Sequence, residues 1–477
     1  MTETVWQQGK LIEITITDLS DTGDGVGRWD ERVVFVPDTV PGDHVLVRLT
    51  HVKPKYAHGN LTHLLQSSPR RIQPSCIVAD KCGGCQWQHI NYEYQLEAKR
   101  NQVVQALERI GGFVQPPVDP VLAASSPLGY RNKATYPLGR SRSGQVQAGY
   151  YQKGSHQLIN LNQCPVQDAR LNPLLAEVKL DIQTRGWQIY NEQDHSGQVR
   201  HLSLRIGRRT GEMLLTLVVK DWNLHSIKDQ ADLWLKHYPQ LAGVSLNRNP
   251  DRTNAIFGSQ TLCIAGLPYL REQFAGLEFQ VRPDTFFQVY TETAEALLKI
   301  IQSELNLQGN EVLLDTYCGI GTLTLPLAKQ VYLATGLEVQ PEAVEQAILN
   351  AKLNNINNVN FITGAVEKLL PKMEMTPDVV LLDPPRKGCD RTVIDTLLLF
   401  KPPRIVYVSC KVATLARDLR LLCQNGVYTI TRIQPADFFP ETAHVETAAF
   451  LMISQHNEEK YRSQEPEYSL GILTPDS

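Results

Sequence analysis

Apolar and polar positions alternate along the first 65 residues. "KLIEITITDL", "RVVFVPDTV" and "DHVLVRLTHV" are short runs of strand character, and "DTGDGVGRWD" and "VPGD" punctuate them as turns. So many short strands in so small a span predict a closed, OB-like barrel over residues 1–65. The period changes at "YEYQLEAKRNQVVQALERIGG". There Leu96, Val103, Val104, Leu107 and Ile110 fall near one helical face, and Gly111-Gly112 supplies the stop. This helix lies in a central α/β domain, residues 70–275, where strands and helices mix. From Gly276 the two periods alternate regularly. Helix "TETAEALLKIIQSEL" precedes strand "EVLLDTYC". Helix "TLTLPLAKQ", strand "YLATGLEV" and helix "PEAVEQAILNAKLN" follow, then strand "DVVLLDPP", helix "VIDTLLLF" and strand "RIVYVSC". The alternation predicts a Rossmann-like, doubly wound α/β domain over residues 276–456. "VYTITRIQPADFF" and "HVETAAFLMIS" predict an antiparallel pair that closes its sheet, and the polar residues 457–477 predict a disordered tail. A length of 477 residues suits such a multidomain chain.

The bulk composition, 42% hydrophobic and 20% charged, is that of an ordinary globular protein. Charge placement changes the picture. A net charge of −3 by itself argues against a nucleic-acid partner. Residues 41–160, however, hold 14 Lys and Arg against 6 Asp and Glu, whereas residues 441–477 hold 7 acids and 2 bases. A locally basic region on a near-neutral chain is what a phosphate-binding face requires. The opening "MTETVWQQGK" has neither the basic nor the apolar part of a signal peptide, and no uncharged apolar run reaches spanning length. The expectation is a cytoplasmic protein with no membrane contact and no obligate protein partner. Its nine cysteines are then not disulfides.

"LLDTYCGIGTLTLPLA" reads as strand, glycine turn and helix. Gly319 and Gly321 let a ligand approach the backbone closely. Glu338 ends the next strand about twenty residues on, where an acid can hold ribose hydroxyls. The pattern is D-x-x-C-G-x-G and lacks the third glycine of dinucleotide-binding folds, which favours S-adenosylmethionine over NAD. In "LLDPPRKG", Asp383 ends the following strand, where open α/β sheets bind ligands, and Pro384-Pro385 stiffens the turn.

Cys410 ends strand "RIVYVSC" and therefore faces the same crevice. The residues after it predict a helix with Leu415, Leu419 and Leu422 inward. A thiol at a helix N-terminus feels partial positive charge, and its pKa falls. A fall of about 1.5 units from the free value makes roughly half of it thiolate at pH 7. Position alone leaves a nucleophile and a buried apolar thiol as open alternatives.

"LDPPRKG", "VSCKVATLARDL", "HVETAAFL" and "DTFFQVYTETAE" together resemble the RNA 5-methyluridine methyltransferase family. "DGVGR", "VFVP" and "VPGD" in the first barrel resemble the TRAM domain that many members carry. The resemblance covers nearly the whole chain apart from the tail. It implies transfer of a methyl group from S-adenosylmethionine to C5 of a uridine in RNA. It further implies Cys410 as nucleophile and Glu446, in "HVE", as base. Asp383 and Gln288 are then set between cofactor and base, with Tyr317 and Glu338 on the cofactor. One departure stands out: the family usually has Ser-Cys-Asn-Pro where this chain has Ser409-Cys410-Lys411-Val412. The proline that presets a helix start is missing, and a cation stands next to the thiol.

Cys76, Cys82, Cys85 and Cys164 form C-x5-C-x2-C with a distant fourth member. Zinc and an iron–sulfur cluster both accept four thiolates. Members resembling this chain carry a 4Fe–4S cluster at this spacing, so the resemblance implies that cluster on these four residues. Cys263, Cys318, Cys389 and Cys423 read as structural. The simpler transfer-RNA members of the family lack the TRAM barrel and the cluster cysteines, so the resemblance implies 23S ribosomal RNA as the target, by analogy, with transfer RNA as the alternative. Radical S-adenosylmethionine methylthiotransferases combine similar parts, but with C-x3-C-x2-C and a C-terminal TRAM domain. A non-catalytic RNA-binding protein is the other alternative, against which stands the set Asp383, Cys410 and Glu446.

Overall fold

Strict alternation in strand Leu11–Leu19 buries Ile12, Ile14 and Ile16 on one face. In the computed structural model, which describes residues 6–374 and 376–454, that face lines a barrel. The segment expected to form a disordered tail lies outside the described residues. Leu11–Leu19 pairs with Gly25–Trp29 on one side and His44–Val52 on the other, and Arg32–Val36 and Tyr56–Gln66 close the ring. Closure removes the free edges that short strands otherwise expose.

Helix Tyr92–Ala106 starts at Asn91, whose side chain accepts the Tyr94 N–H, and runs on through a π-turn to left-handed Gly112. Its buried face is only partly the one expected. Gln95, Ala98, Lys99, Val103 and Leu107 are buried, while Ile110 is exposed and Leu96 half-buried. Polar groups can turn inward here because the last domain supplies their partners, as described below.

The central domain is a seven-stranded sheet in the order Gln260–Gly266, Leu241–Arg248, Met213–Val219, Val199–Ile206, Lys133–Arg140, Val146–Tyr151, Leu158–Asn160. Helices Asn172–Thr184 and Ile227–His237 share its apolar core.

The last domain is the expected doubly wound sheet. Its order is Val359–Thr363, Leu333–Glu338, Val312–Asp315, Val379–Leu382, Arg404–Ser409, Glu446–Ile453, Tyr428–Ala436. The first five strands are parallel, and Glu446–Ile453 is antiparallel to both its neighbours. Helices Thr291–Leu305 and Pro341–Leu353 contribute to one apolar core, and Arg391–Phe400 and Val412–Leu422 to another. Leu415, Leu419 and Leu422 are buried as expected. The strand order reverses between Val312–Asp315 and Val379–Leu382. The carboxyl ends at that reversal are where ligands bind in sheets of this kind. Among the described residues, no helix is long and apolar enough to cross a membrane.

Candidate active site

Asp315 closes its strand, and Asp383 and Cys410 each follow the last residue of theirs, so the parallel sheet delivers all three to one edge. The fourth group comes from the antiparallel strand. Ser409 pairs with Thr447, and the next step in that register sets Cys410 beside Glu446. Arg386 comes from the turn after Pro384-Pro385 close enough to the thiol to favour its charged form.

The charges of this group are mutually adverse. Asp315 is pushed up to about 6, by burial first and also by Glu338, although its carboxylate accepts from Thr324 Oγ1 at 2.6 Å. Asp383 is pushed up to about 7 by burial and by Asp315. Burial drives Glu446 well above the usual carboxyl range; Asp383 adds to this and Arg386 opposes it. The Cys410 thiol is raised by burial, then by Glu446, with Arg386 pulling the other way and Asp383 adding.

The depressed thiol pKa expected from a helix start is therefore not found. Helix Val412–Leu422 has Lys411 as its N-cap, with no side-chain capping bond. Burial and the two carboxyl neighbours set the direction. Lys411 does not supply the compensating charge either. Its backbone N–H donates to Ser409 Oγ at 3.2 Å, and its ammonium reaches Asp21 of the barrel at 3.1 Å. The cation on the thiol is Arg386. It lies within "LDPPRKG", where the sequence marks Asp383 and the proline pair but not the arginine. Its signal was its position: a guanidinium three residues beyond Asp383, across a turn stiffened by two prolines.

On the cofactor side, Gly319 and Gly321 are both left-handed, at φ +53° and +85°. A Cβ built at Gly319 would meet nothing within 4 Å, so open space adjoins the turn. Glu338 ties that turn to the next strand, accepting the Gly319 N–H at 3.1 Å and the Gln340 N–H at 2.8 Å. Tyr317 is half-buried, with Cys389 close enough to its hydroxyl to add to the rise that burial gives its pKa. Gln288 lies on the loop ahead of helix Thr291–Leu305, where its carbonyl accepts from Asn132 Nδ2 at 2.8 Å.

Cys410 also opens into a cleft of about 480 Å³ between the barrel, helix Tyr92–Ala106 and the end of the catalytic sheet. Asp21, Arg28, Phe35, Gln102, Arg109, Lys411 and His444 are among its lining residues, and the glycine turn is not.

The four remaining predicted site residues come together elsewhere. Cys76, Cys82, Cys85 and Cys164 are free thiols around one cavity of about 180 Å³. Burial pushes Cys85 up to about 12; a Gln88 hydrogen bond opposes this, and Cys164 and Cys82 add to it. Cys164 goes up to about 11, by burial first, with Cys76 and Cys82 contributing. Among the described residues, no three His, Cys, Asp or Glu groups converge closely enough to hold a single metal ion.

The profile of the tRNA (Uracil-5-)-methyltransferase family matches residues 91–454, and that of the TRAM domain matches residues 5–62. The chain is 76% identical over 455 residues to an uncharacterized RNA methyltransferase of Nostoc sp., covering 95% of this chain and 99% of the relative. An uncharacterized RNA methyltransferase of Synechocystis sp. is 56% identical over 450 residues, with 94% and 97% covered. Among solved structures, the Pyrococcus abyssi tRNA (uracil-54, C5)-methyltransferase in complex with S-adenosyl-L-homocysteine superposes with a TM-score of 0.73 at 28% identity. That match covers 92% of this chain and 100% of the archaeal one. With its barrel, its crevice and these relatives in view, the chain belongs to the tRNA (uracil-5-)-methyltransferase family, as an S-adenosylmethionine-dependent RNA methyltransferase with an N-terminal TRAM domain.

Proposed function

We propose that this enzyme methylates C5 of a uridine in 23S ribosomal RNA, with Cys410 as nucleophile and Glu446 as base. The observation that carries the reading is the strand register that sets Cys410 beside Glu446, with Arg386 on the thiol. Uracil C5 is too weak a nucleophile to take a methyl group unaided. The Cys410 thiolate adds to C6, forming an S–C6 bond, and the C5–C6 π pair shifts into an enolate that makes C5 nucleophilic. S-adenosylmethionine, when bound, supplies an electrophilic methyl group on a sulfonium cation. Once C5 carries the methyl, the Glu446 carboxylate removes the C5 proton. The C5–C6 double bond re-forms, and the S–C6 bond breaks with both electrons returning to sulfur. Arg386 stabilises the sulfur anion at the start and at the end.

The residues fit that cofactor. The left-handed Gly319 faces open space, and three crowded carboxyls, Asp315, Asp383 and Glu446, favour a cation beside them. Gly319, Gly321, Tyr317, Glu338, Asp383 and Gln288 would hold it. The target base leaves its stack to reach Cys410, at a cost of about a few kcal/mol. The cleft between barrel and sheet, with Arg28, Arg109 and Phe35, suits the flanking phosphates and bases.

The proposal includes a 4Fe–4S cluster on Cys76, Cys82, Cys85 and Cys164. Four thiols and no carboxylate make a soft donor set, and they surround a cavity instead of meeting at a point. When bound, the cluster cross-links residues 76–85 to Cys164. Iron analysis and visible absorption of anaerobically purified protein distinguish it from zinc.

Transfer RNA is the second reading, because the archaeal enzyme whose fold covers 92% of this chain is named for that substrate. Methyl-labelled S-adenosylmethionine and total RNA from cells lacking the protein decide between the two. Label at C5 of one 23S uridine is the expected result, and label confined to transfer RNA replaces the target. No transfer at all, or activity that survives Cys410→Ala but not Cys76→Ala, removes the mechanism.

A further inference from the structure

Ala436 and Glu446 form the last pair of the ladder between the two closing strands, and the loop Asp437 to Val445 joins them. The base thus stands directly at the end of a loop, and this loop is held from outside its own domain. Lys99, in helix Tyr92–Ala106, donates to Asp437 Oδ1 at 2.6 Å and to the Phe439 carbonyl at 3.1 Å, and both charged side chains are fully buried. Gln95, one turn earlier on the same face, accepts the Glu441 N–H at 3.0 Å. The Trp87 N–H donates to the Glu441 carbonyl at 3.0 Å, and the Tyr130 hydroxyl to the Pro440 carbonyl at 3.2 Å.

A buried ion pair adds little net stability, because desolvation offsets the attraction. Apolar side chains at 95 and 99 would pack this helix as well. What the polar ones add is direction: each bond fixes where one atom of the loop lies. The far end of the loop bears on the chemistry, since Ala443, His444 and Val445 line the cleft beside Cys410.

We propose that helix Tyr92–Ala106 positions the Glu446 carboxylate for removal of the C5 proton, with Lys99 and Gln95 as its positioning residues. The inference rests on Glu446 being the base. Addition of the thiolate to C6 and attack by C5 on the methyl group do not use Glu446, so a displaced loop leaves both steps intact. Proton removal then slows, C5 retains its proton, the S–C6 bond persists, and methylated RNA stays on Cys410.

The test is the charge-free pair Lys99→Met with Asp437→Leu in the full-length enzyme, which removes the bonds without stranding a buried charge. The probe is total RNA from cells lacking the protein, with methyl-labelled S-adenosylmethionine. The expected result is a kcat lower by about tenfold to a hundredfold, part of what a general base contributes. KM is expected to fall in step with kcat, because the slowed step follows methyl transfer, and methyl label is expected to stay on the denatured protein even after ribonuclease treatment, which leaves the modified nucleotide on Cys410. Turnover at the parent rate, or slower turnover without retained label, overturns the proposal. Gln95→Met is read in the same way and decides the matter should the paired variant not fold. An RNA-free arm separates this inference from the function it rests on. Amides of residues 437–446 are expected to exchange about tenfold faster in the paired variant, with strand Arg404–Ser409 unchanged. A parent enzyme that labels no RNA counts against the proposed function, and unchanged loop exchange counts against the positioning whatever the RNA result.

Discussion

Cys410 and the four-cysteine cavity are both places where burial raises a thiol, yet their neighbours differ in kind. Around Cys410 stand Glu446 and Asp383, both carboxyls, and Arg386, a guanidinium. Around Cys85 the groups that raise it further are thiols, Cys164 and Cys82, and Glu441 at the edge. A thiol among titratable acids with a cation at hand can exchange a proton and still carry charge. The four-cysteine cavity sets thiol against thiol, with Lys153 lowering Cys82 and Arg131 in the lining, and has no carboxyl among its lining residues. The direction of a pKa shift is the same in both places. The chemistry is told by which groups cause it.

Replacing single sulfurs sharpens this contrast most. Cys410→Ser is expected to lower turnover by at least about 1,000-fold, since the covalent route is lost, and to leave the melting temperature near that of the parent. Cys85→Ser is expected to do the reverse: lower melting and loss of iron–sulfur absorption, with covalent attachment of RNA to Cys410 still detectable in the folded fraction. Parallel melting and single-turnover assays measure both, and the opposite pattern breaks the comparison. Glu446→Gln comes next, with turnover down about a hundredfold or more. Denaturing gels are expected to show RNA trapped on Cys410; freely released product would remove Glu446 from the role of base.

Arg386 has a smaller and pH-dependent part. It favours the thiolate, so Arg386→Gln moves the Cys410 pKa further up. Thiolate forms as pH rises, so the rising limb of kcat/KM should move to higher pH by about one unit. The variant then runs about tenfold slower at neutral pH and approaches the parent at alkaline pH. A rate loss equal at every pH would mean that Arg386 holds RNA rather than the thiolate.

What was legible in the sequence follows from how the two kinds of site are built. Asp383 and Cys410 were readable because parallel strands alternating with helices put every carboxyl end at one edge, so the last residue of each strand is already placed. The spacing of Cys76, Cys82 and Cys85 marked them as a group, and with Cys164 they line one cavity. The thiol's electrostatics were not, because they depend on Glu446, which arrives from an antiparallel strand, and on Arg386, which arrives across a turn. The buried face of helix Tyr92–Ala106 was legible only in part, for a related reason. A period of apolar residues picks out Leu96 and Ile110, but Lys99 is buried by a carboxylate 338 positions away in the chain. Hydrophobic patterns report on local geometry, whereas a polar group earns its interior place only through a distant partner.

The smallest effect concerns the altered junction after Cys410. Lys411 and Asp21 join the catalytic loop to the barrel across the mouth of the cleft, with their side chains 46% and 72% exposed. An exposed pair of this kind is worth about 0–1 kcal/mol, so an RNA phosphate entering the cleft can take the lysine from the aspartate. Lys411→Asn, which restores the residue usual in the family, is expected to raise KM about twofold to fivefold with kcat unchanged, the range that pair energy permits. It should also lower the salt dependence of RNA binding by about one phosphate contact. Asp21→Asn carries the opposite sign: it frees Lys411 and removes a negative charge from the cleft, so KM should fall. If both substitutions raise KM together, the pair is a brace between the two domains and not a phosphate contact held in reserve. The barrel would then hold structure at Cys410 without entering the chemistry.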